Sequence, residues 1–298
     1  MILWIKIILW KIVKTIFLII PIALVKRITS IVPRLFVCAP PGIVYEISDY
    51  LGQFRVRLDT KYNIERKMFT GHYERDTFQI IEEFVNEGDI CFDIGANVGP
   101  VMFALAQKIK SSGKIYAFEP GPPIFKRLAY NVALNPHYNE VIIIENLGVG
   151  EKNTELYWTE ELRYEGRGNG SMRVASSYRD INVTISSPIA VDVVSLDSYC
   201  QNKGIENVDF IKIDVEGMEY EVLKGAKNIL EKYQPIIYFE TLPNMEESLG
   251  FPVFTEIQNM LKCFNYKFYS VNSNGDIKNV DKVGVSLNSL ASPKDLSI

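Results

Sequence analysis

The chain has 298 residues, 47% of them hydrophobic, which suffices for one large α/β domain with appendages and excludes a small stapled module. A formal net charge of -4 without a basic cluster excludes broad nucleic-acid binding, because neutralising phosphates takes a Lys/Arg surface. The four cysteines, Cys38, Cys91, Cys200 and Cys263, form no C-x-x-C pair, and the two histidines, His72 and His137, lie far apart. A zinc site, a redox dithiol and a His-dependent triad are therefore poor readings, and Cys91 in an apolar strand points to a reduced, cytoplasmic catalytic domain.

Met1 to Val25 is apolar apart from Lys6, Lys11, Lys14 and Thr15, and Lys26-Arg27 follows it. At about 100° per residue the three lysines share one arc of a helix with Trp4 and Trp10 close by, the pattern of a helix lying in a membrane interface. A signal anchor is the second reading; Thr15 to Val25 is uncharged, but a span takes about 20 residues, and Pro21 bends the segment. A cleaved signal peptide lacks a good small-x-small site, Val37-Cys38-Ala39 being a weak match, and packing on the domain or on a partner is the bland alternative. Residues 1–30 are expected to form an amphipathic or membrane-anchoring helix that brings residues 1–27 to a membrane surface. The Pro33, Pro40, Pro41 and Gly42 cluster makes 31–42 a linker.

A catalytic domain is expected over 43–288, with a loose tail at 289–298. Alternation of Phe54, Val56 and Leu58 marks a β element within Tyr45 to Leu58, and Tyr73 to Phe84 reads as a helix. Strands are then expected at Ile90 to Ile94, Lys114 to Phe118, Val141 to Glu145, Phe210 to Ile213 and Ile236 to Phe239, with helices at Ile124 to Leu134 and Tyr220 to Glu231 between them. This alternation predicts a mostly parallel, doubly wound sheet. A helix at Phe254 to Cys263 and a strand at Lys267 to Val271 follow. The Asn274-Gly275 turn predicts an antiparallel C-terminal hairpin, with Val283 to Leu287 as the returning strand.

Asp93-Ile94-Gly95-Ala96-Asn97-Val98-Gly99 lies where a buried strand gives way to a helix, the place where open α/β sheets bind ligands and where glycines let backbone approach them. The loop lacks the middle glycine of G-x-G-x-x-G, and Asp93 would repel a pyrophosphate, so a ligand with a cationic amino-acid end fits better than a dinucleotide. About twenty residues beyond the loop, Glu119 ends the next strand in Ala117-Phe118-Glu119-Pro120, placed to accept both ribose hydroxyls of an adenosine. Taken singly, the glycines need only form a turn, and Glu119 need only cap a helix.

The order of this loop, Phe118-Glu119-Pro120 and Ile211-Lys212-Ile213-Asp214-Val215-Glu216-Gly217-Met218-Glu219 resembles the FkbM family of methyltransferases. Gly71 to Thr77, Gly170-Ser171 and Ser195-Leu196-Asp197 are similar to that family as well, and the likeness spans roughly residues 70 to 275. It implies a Rossmann-like class I fold and transfer from S-adenosylmethionine, mainly to hydroxyl oxygens of sugars, glycolipids or polyketides. Carried over by position, Asp93, Gly95, Ala96, Asn97 and Gly99 would hold the methionine end, Glu119 the ribose, and Asn146 the adenine neighbourhood.

Methylating an alcohol requires loss of its proton, for which Asp214, Glu216 and Lys212 are the candidate catalytic residues. Lys212 would need a lowered pKa to act as base, and an ion pair is its bland alternative; Glu216 and Glu219 suit a helix N-terminus. Asp214 and Glu240, at the ends of neighbouring strands, form a candidate Mg²⁺ pair. Tyr157, Trp158, Tyr164, Arg167, Asn169, Ser171 and Arg173 are expected to make a lid over a saccharide or lipid-linked glycan acceptor. The rival readings are a membrane-tethered protein that keeps the fold without turnover, and a nicotinamide-dependent dehydrogenase.

Overall fold

The computed structural model describes residues 42–71, 73–160, 172–175, 188–215, 217–241, 246 and 250–296, with the backbone alone at 159–160 and 172–175. The expected N-terminal helix and nearly all of the linker lie outside them. Among the described residues no helix is long and apolar enough to cross a membrane.

Phe54, Val56 and Leu58 are buried while Arg55 and Arg57 face solvent, and this alternation folds β1 (Val44–Tyr50) and β2 (Phe54–Asp59) into an antiparallel hairpin. An unforeseen helix α1 (Asn63–Thr70) follows. Its buried positions are Glu65, Arg66, Met68 and Phe69, so two charges hide the apolar stripe in the sequence. Glu65 pairs with Arg127 across the fold. Then come α2 (Arg75–Phe84), β3 (Ile90–Ile94), α3 (Pro100–Ile109), β4 (Lys114–Phe118), α4 (Pro122–Ala133) and β5 (Ile142–Glu145). Short strands β6 (Gly148–Val149), β7 (Thr154–Glu160), β8 (Met172–Ala175) and β9 (Ile189–Val194) form a separate sheet in the order β6-β9-β7-β8.

The chain returns through α5 (Leu196–Lys203), β10 (Phe210–Ile213), α6 (Glu219–Lys224), α7 (Lys227–Lys232), β11 (Ile236–Glu240), α8 (Val253–Lys262), β12 (Lys267–Val271), β13 (Ile277–Asn279) and β14 (Asn288–Ser292). The main sheet runs β13-β12-β14-β11-β10-β3-β4-β5, parallel from β11 to β5 and antiparallel beyond. Apolar cores cover both of its faces. One gathers Phe103 and Leu105 of α3 with the hairpin, and the other gathers α5 to α8 around Phe92, Ile211 and Phe239. This is the doubly wound, mostly parallel sheet expected from the β/α alternation.

Two expectations are corrected. The segment read as one helix, Tyr220 to Glu231, is two. Gly225 passes so close to Gly150 that a Cβ there would lie 2.0 Å from the Gly150 carbonyl oxygen, and Asp197 caps the second piece by accepting from the amides of Asn228 (3.0 Å) and Ile229 (3.1 Å). The Asn274-Gly275 turn leads into β13, not into 283–287, and the strand that closes the sheet is β14, which begins at the predicted domain end and occupies the predicted tail. Its residues Ser289, Leu290, Ala291 and Ser292 are all buried between β11 and β12. Asn-Ser-Leu-Ala-Ser carries almost no β propensity, so only its neighbours make it a strand.

Because Leu290 is fully buried in this closing strand, Leu290→Ala should lower unfolding free energy in urea by about 2–5 kcal/mol. A loss below about 0.5 kcal/mol, the range of surface substitutions, would remove 288–292 from the central sheet.

Candidate cofactor and acceptor site

The loop after β3 is tied to its neighbour strand, since the amides of Gly95 (3.0 Å) and Ala96 (2.9 Å) both donate to the Phe118 carbonyl. Gly95 has φ 83, and a Cβ there would lie 1.9 Å from the Asp214 carbonyl oxygen. Glycine is required at 95 by the close passage of the chain after β10 as well as by its left-handed backbone. Asn97 (φ 50) and Gly99 (φ 97) complete the turn into α3, and Pro100 sets its first residue.

Glu119 is buried and held from two sides, accepting from the Asn97 amide at 3.0 Å and the Gly121 amide at 2.8 Å. Burial raises its carboxyl to about 7, against the opposing pull of those amides. Asn146 donates to the carbonyls of Glu119 (2.8 Å) and Pro120 (3.0 Å), so it fixes this loop rather than reaching outward. A narrow apolar recess lined by Gly95, Phe118, Pro120, Leu147, Val215 and Met218 lies beside it. Trp158 packs its indole over Gly121, whose Cβ would come within 2.7 Å of the indole nitrogen and 3.0 Å of a Glu119 oxygen. Trp158 therefore belongs to the Glu119 loop and not to a lid over the acceptor. Tyr164, Arg167, Asn169 and Ser171 lie outside the described residues, as does the Arg173 side chain.

A polar row crosses the middle of the main sheet. Asp93, Lys212 and Tyr238 are register partners on β3, β10 and β11, so alternation turns all three to the same face. The Lys212 ammonium, almost fully buried, lies 3.6 Å from Asp93 and 3.2 Å from Asp214. Burial alone favours the neutral amine. Asp214, Asp93 and Glu74 outweigh it and hold the lysine above its ordinary range. Lys212 is thus a charged ion-pair partner, which corrects its candidacy as a base. Burial drives the Asp93 carboxyl upward, with Lys212, 3.6 Å away, and the Met102 backbone pulling it back down.

The carboxyl ends of β10 and β11 open into a cleft of about 690 Å³ lined by Glu74, Asp76, Lys212, Asp214, Tyr238 and Glu240, among others. Asp214 and Glu240 do share it. Among the described residues, however, no group of three or more His, Cys, Asp and Glu is arranged to hold a metal ion, so the expected Mg²⁺ pair gains no third protein ligand. Glu216 lies outside the described residues. Glu219 is buried and accepts from the amides of Val215 and Gly217, both at 3.2 Å, which ties down the loop after Asp214.

Fold and register thus assemble Asp93, Lys212 and Asp214 in one cluster, and Gly95, Ala96, Asn97, Gly99, Glu119 and Asn146 beside it. Sequence reasoning did not assign Glu74 or Tyr238 to a site, and it placed Trp158 over the acceptor instead of beside Glu119. Glu74 had a visible signal in the Gly71 to Thr77 block, whereas Tyr238 faces the cleft only through strand register.

The sequence model of the methyltransferase FkbM domain matches residues 93–268. The chain is 24% identical over 195 residues to the hexuronic acid methyltransferase AglP of Haloferax volcanii, covering 65% of this chain and 72% of that protein. It is 26% identical over 176 residues to the 2-O-methyltransferase NoeI of Sinorhizobium fredii, covering 54% and 67%. Among solved structures it is similar to methyltransferase FkbM from Methylobacillus flagellatus, with TM-score 0.48 and 15% identity over 77% of this chain and 52% of that one. The domain match spans more than half of the chain, and by it the chain belongs to the FkbM family of S-adenosylmethionine-dependent methyltransferases, on a class I Rossmann-like fold.

Proposed function

We propose that the chain moves the methyl group of S-adenosylmethionine to a hydroxyl oxygen of a saccharide, and that the Asp93–Lys212–Asp214 cluster lies between the donor and acceptor sites. The carrying observation is the charge imbalance of this cluster. Asp93, Asp214 and Glu74 act on one buried lysine, and the Asp93 carboxylate is itself fully buried. A ligand with a cationic amino-acid end restores that balance, and a pyrophosphate worsens it. The names of two relatives, one acting on hexuronic acid and one a 2-O-methyltransferase, support the hydroxyl and the saccharide.

When bound, S-adenosylmethionine supplies an electrophilic methyl on a sulfonium. The protein's work is then mostly positioning, because an in-line displacement gains its rate largely from held geometry. Asp93 and the backbone of Gly95, Ala96, Asn97 and Gly99 would take the amino-acid end, and Glu119 the ribose. The recess between Pro120 and Leu147 would take the adenine, with Asn146 fixing its wall. Asp214, oriented by Lys212, would hold the acceptor hydroxyl. We assign the neutralising charge to Lys212 and not to Mg²⁺, so EDTA should leave transfer unchanged, and a rate restored only by added Mg²⁺ would reverse that assignment.

Residues 1–27 are further proposed to hold the domain at the cytoplasmic face of a membrane, next to a lipid-linked acceptor. Support comes from the lysine arc and tryptophans of the sequence. Full-length protein should co-sediment with vesicles containing anionic lipid and lose this when Lys6, Lys11 and Lys14 become Glu; equal sedimentation of both proteins would leave the lysine face without a role.

Calorimetric titration tests the donor site. S-adenosylhomocysteine should bind and NAD should not. Ribose hydroxyls need a carboxylate acceptor, and the free Glu119 carboxyl titrates at about 7, so affinity should rise as pH goes from 6 to 8. Glu119→Gln should flatten that rise and weaken binding by tenfold or more. Asp93→Ala should also weaken it. Binding of NAD alone would favour the dehydrogenase. No binding by folded protein would favour a non-catalytic tether. Methyl transfer from labelled donor to uronic acid glycosides tests the acceptor, and unlabelled saccharides beside a working donor site would sink the saccharide reading alone.

A further inference from the structure

Tyr73 and Glu74 are neighbours in the chain but line different spaces. Glu74 faces the cleft, whereas Tyr73 lines a pocket of about 400 Å³ held between the hairpin, α1 and α2. The other large side chains around this pocket are apolar or aromatic: Ile47 and Tyr50 from β1, Met68 and Phe69 from α1, and Phe78 from α2. Its volume falls within the range of about 300–1,000 Å³ found for small-molecule sites. Nothing lies within 4 Å of where a Cβ of Gly71 would stand, so the pocket opens to the surface beside that residue.

One end of the pocket is polar. The Tyr73 hydroxyl is bonded to the Glu74 carboxylate, and the Tyr50 hydroxyl lies close enough to feel the Glu74 charge, so both rings turn their oxygens toward the cleft. Tyr73 is satisfied there and Tyr50 is not. The Tyr50 ring, 6% exposed, meets Phe103 edge-on at 6.3 Å, and its buried hydroxyl has no hydrogen-bond partner. Such a hydroxyl has lost its water without a replacement, and a ligand oxygen placed against it recovers that loss. The pocket therefore suits an apolar body that carries an oxygen at its cleft end.

Resting on the methyl-transfer reading above, we propose that this pocket is an aglycone subsite: the acceptor's sugar sits in the cleft, its apolar aglycone fills the pocket, and the glycosidic oxygen accepts from the Tyr50 hydroxyl. Glu74 and Tyr73 stand at the junction of the two spaces. Each methylene of the aglycone that leaves water strengthens binding by about fourfold, until the chain emerges beside Gly71 and the gain stops. The subsite selects among acceptors by what the sugar carries and takes no part in the bond changes of the transfer.

The probes are n-alkyl glucuronides from methyl to decyl, each below its micelle concentration, titrated calorimetrically into full-length protein saturated with S-adenosylhomocysteine. Affinity should rise about fourfold per methylene over the shorter chains and then level off. Thr70 and Phe78 are half-buried in the lining, so Thr70→Trp and Phe78→Trp should each fill the pocket and flatten the rise. The readout is a slope along the series, which a uniform loss of affinity does not imitate. Wild type should prefer O-alkyl to S-alkyl glucuronides by about two- to tenfold, because a thioether sulfur accepts weakly, and Tyr50→Phe should erase that preference. Tyr50→Phe breaks no hydrogen bond of the fold, so its urea midpoint should be no lower than that of wild type. No binding at any chain length, affinity independent of length, a rise undiminished in both enlarged variants, or an O-over-S preference that survives Tyr50→Phe overturns the proposal and leaves the methyltransferase reading intact. Failure of folded protein to bind S-adenosylhomocysteine is seen separately, and it ends the reading on which this subsite rests. Should one enlarged variant not fold, the other and Tyr50→Phe decide.

Discussion

The ammonium of Lys212 is the point on which this structure turns. It is buried in the centre of an eight-stranded sheet, on a strand whose other residues, Phe210, Ile211 and Ile213, are apolar. Moving a lone charge there costs several kcal/mol, and it is tolerated because Asp93 and Asp214 meet it from two chain segments. The two strands must keep their register for that to happen. A slip of one residue would turn Lys212 into the opposite apolar face and leave Asp93 without a cation. The ion cluster therefore fixes the alignment of the strand ends from which the ligand loops emerge.

From this cluster the site extends in two directions. Toward β4, the Gly95–Gly99 turn and Glu119 hold one another through backbone amides, so the loop is shaped before any ligand arrives. Such preorganisation lowers the cost of ordering on binding. Toward β11, the cleft gathers the carboxylates of Glu74, Asp76, Asp214 and Glu240, with Lys67 and Arg75 joining Lys212 in its lining. One side is built from backbone donors around a buried acid, the other from acids around a buried cation.

Several residues that look functional by type are structural by position. Asp197 caps a helix, Asn146 braces a loop, Glu219 gathers two amides, and Glu65 pairs with Arg127 beneath the hairpin. Glu65 and Glu219 do this from buried positions, Asp197 and Asn146 from nearer the surface, and all four bond to partners that the chain itself provides.

The sequence by itself determined the β/α alternation, the loop from Asp93 to Gly99, the acid ending β4 and the family to which they point. These are local patterns of two or three periods, or short motifs whose spacing follows from one strand-turn-helix unit. It did not determine α1, whose apolar stripe is interrupted by Glu65 and Arg66, or the division of the helix after Lys224, which follows from the approach of Gly150. Nor did it reveal β14, whose small polar residues become a central strand only because β11 and β12 leave a gap for it. The roles of Glu74, Tyr238 and Trp158 were likewise decided by tertiary structure, since strand register and the placing of α2 bring together groups 161 positions apart in the chain, as in the Thr77–Tyr238 contact. Charge balance in a buried cluster is a sum over several segments, and no single stretch of sequence contains it.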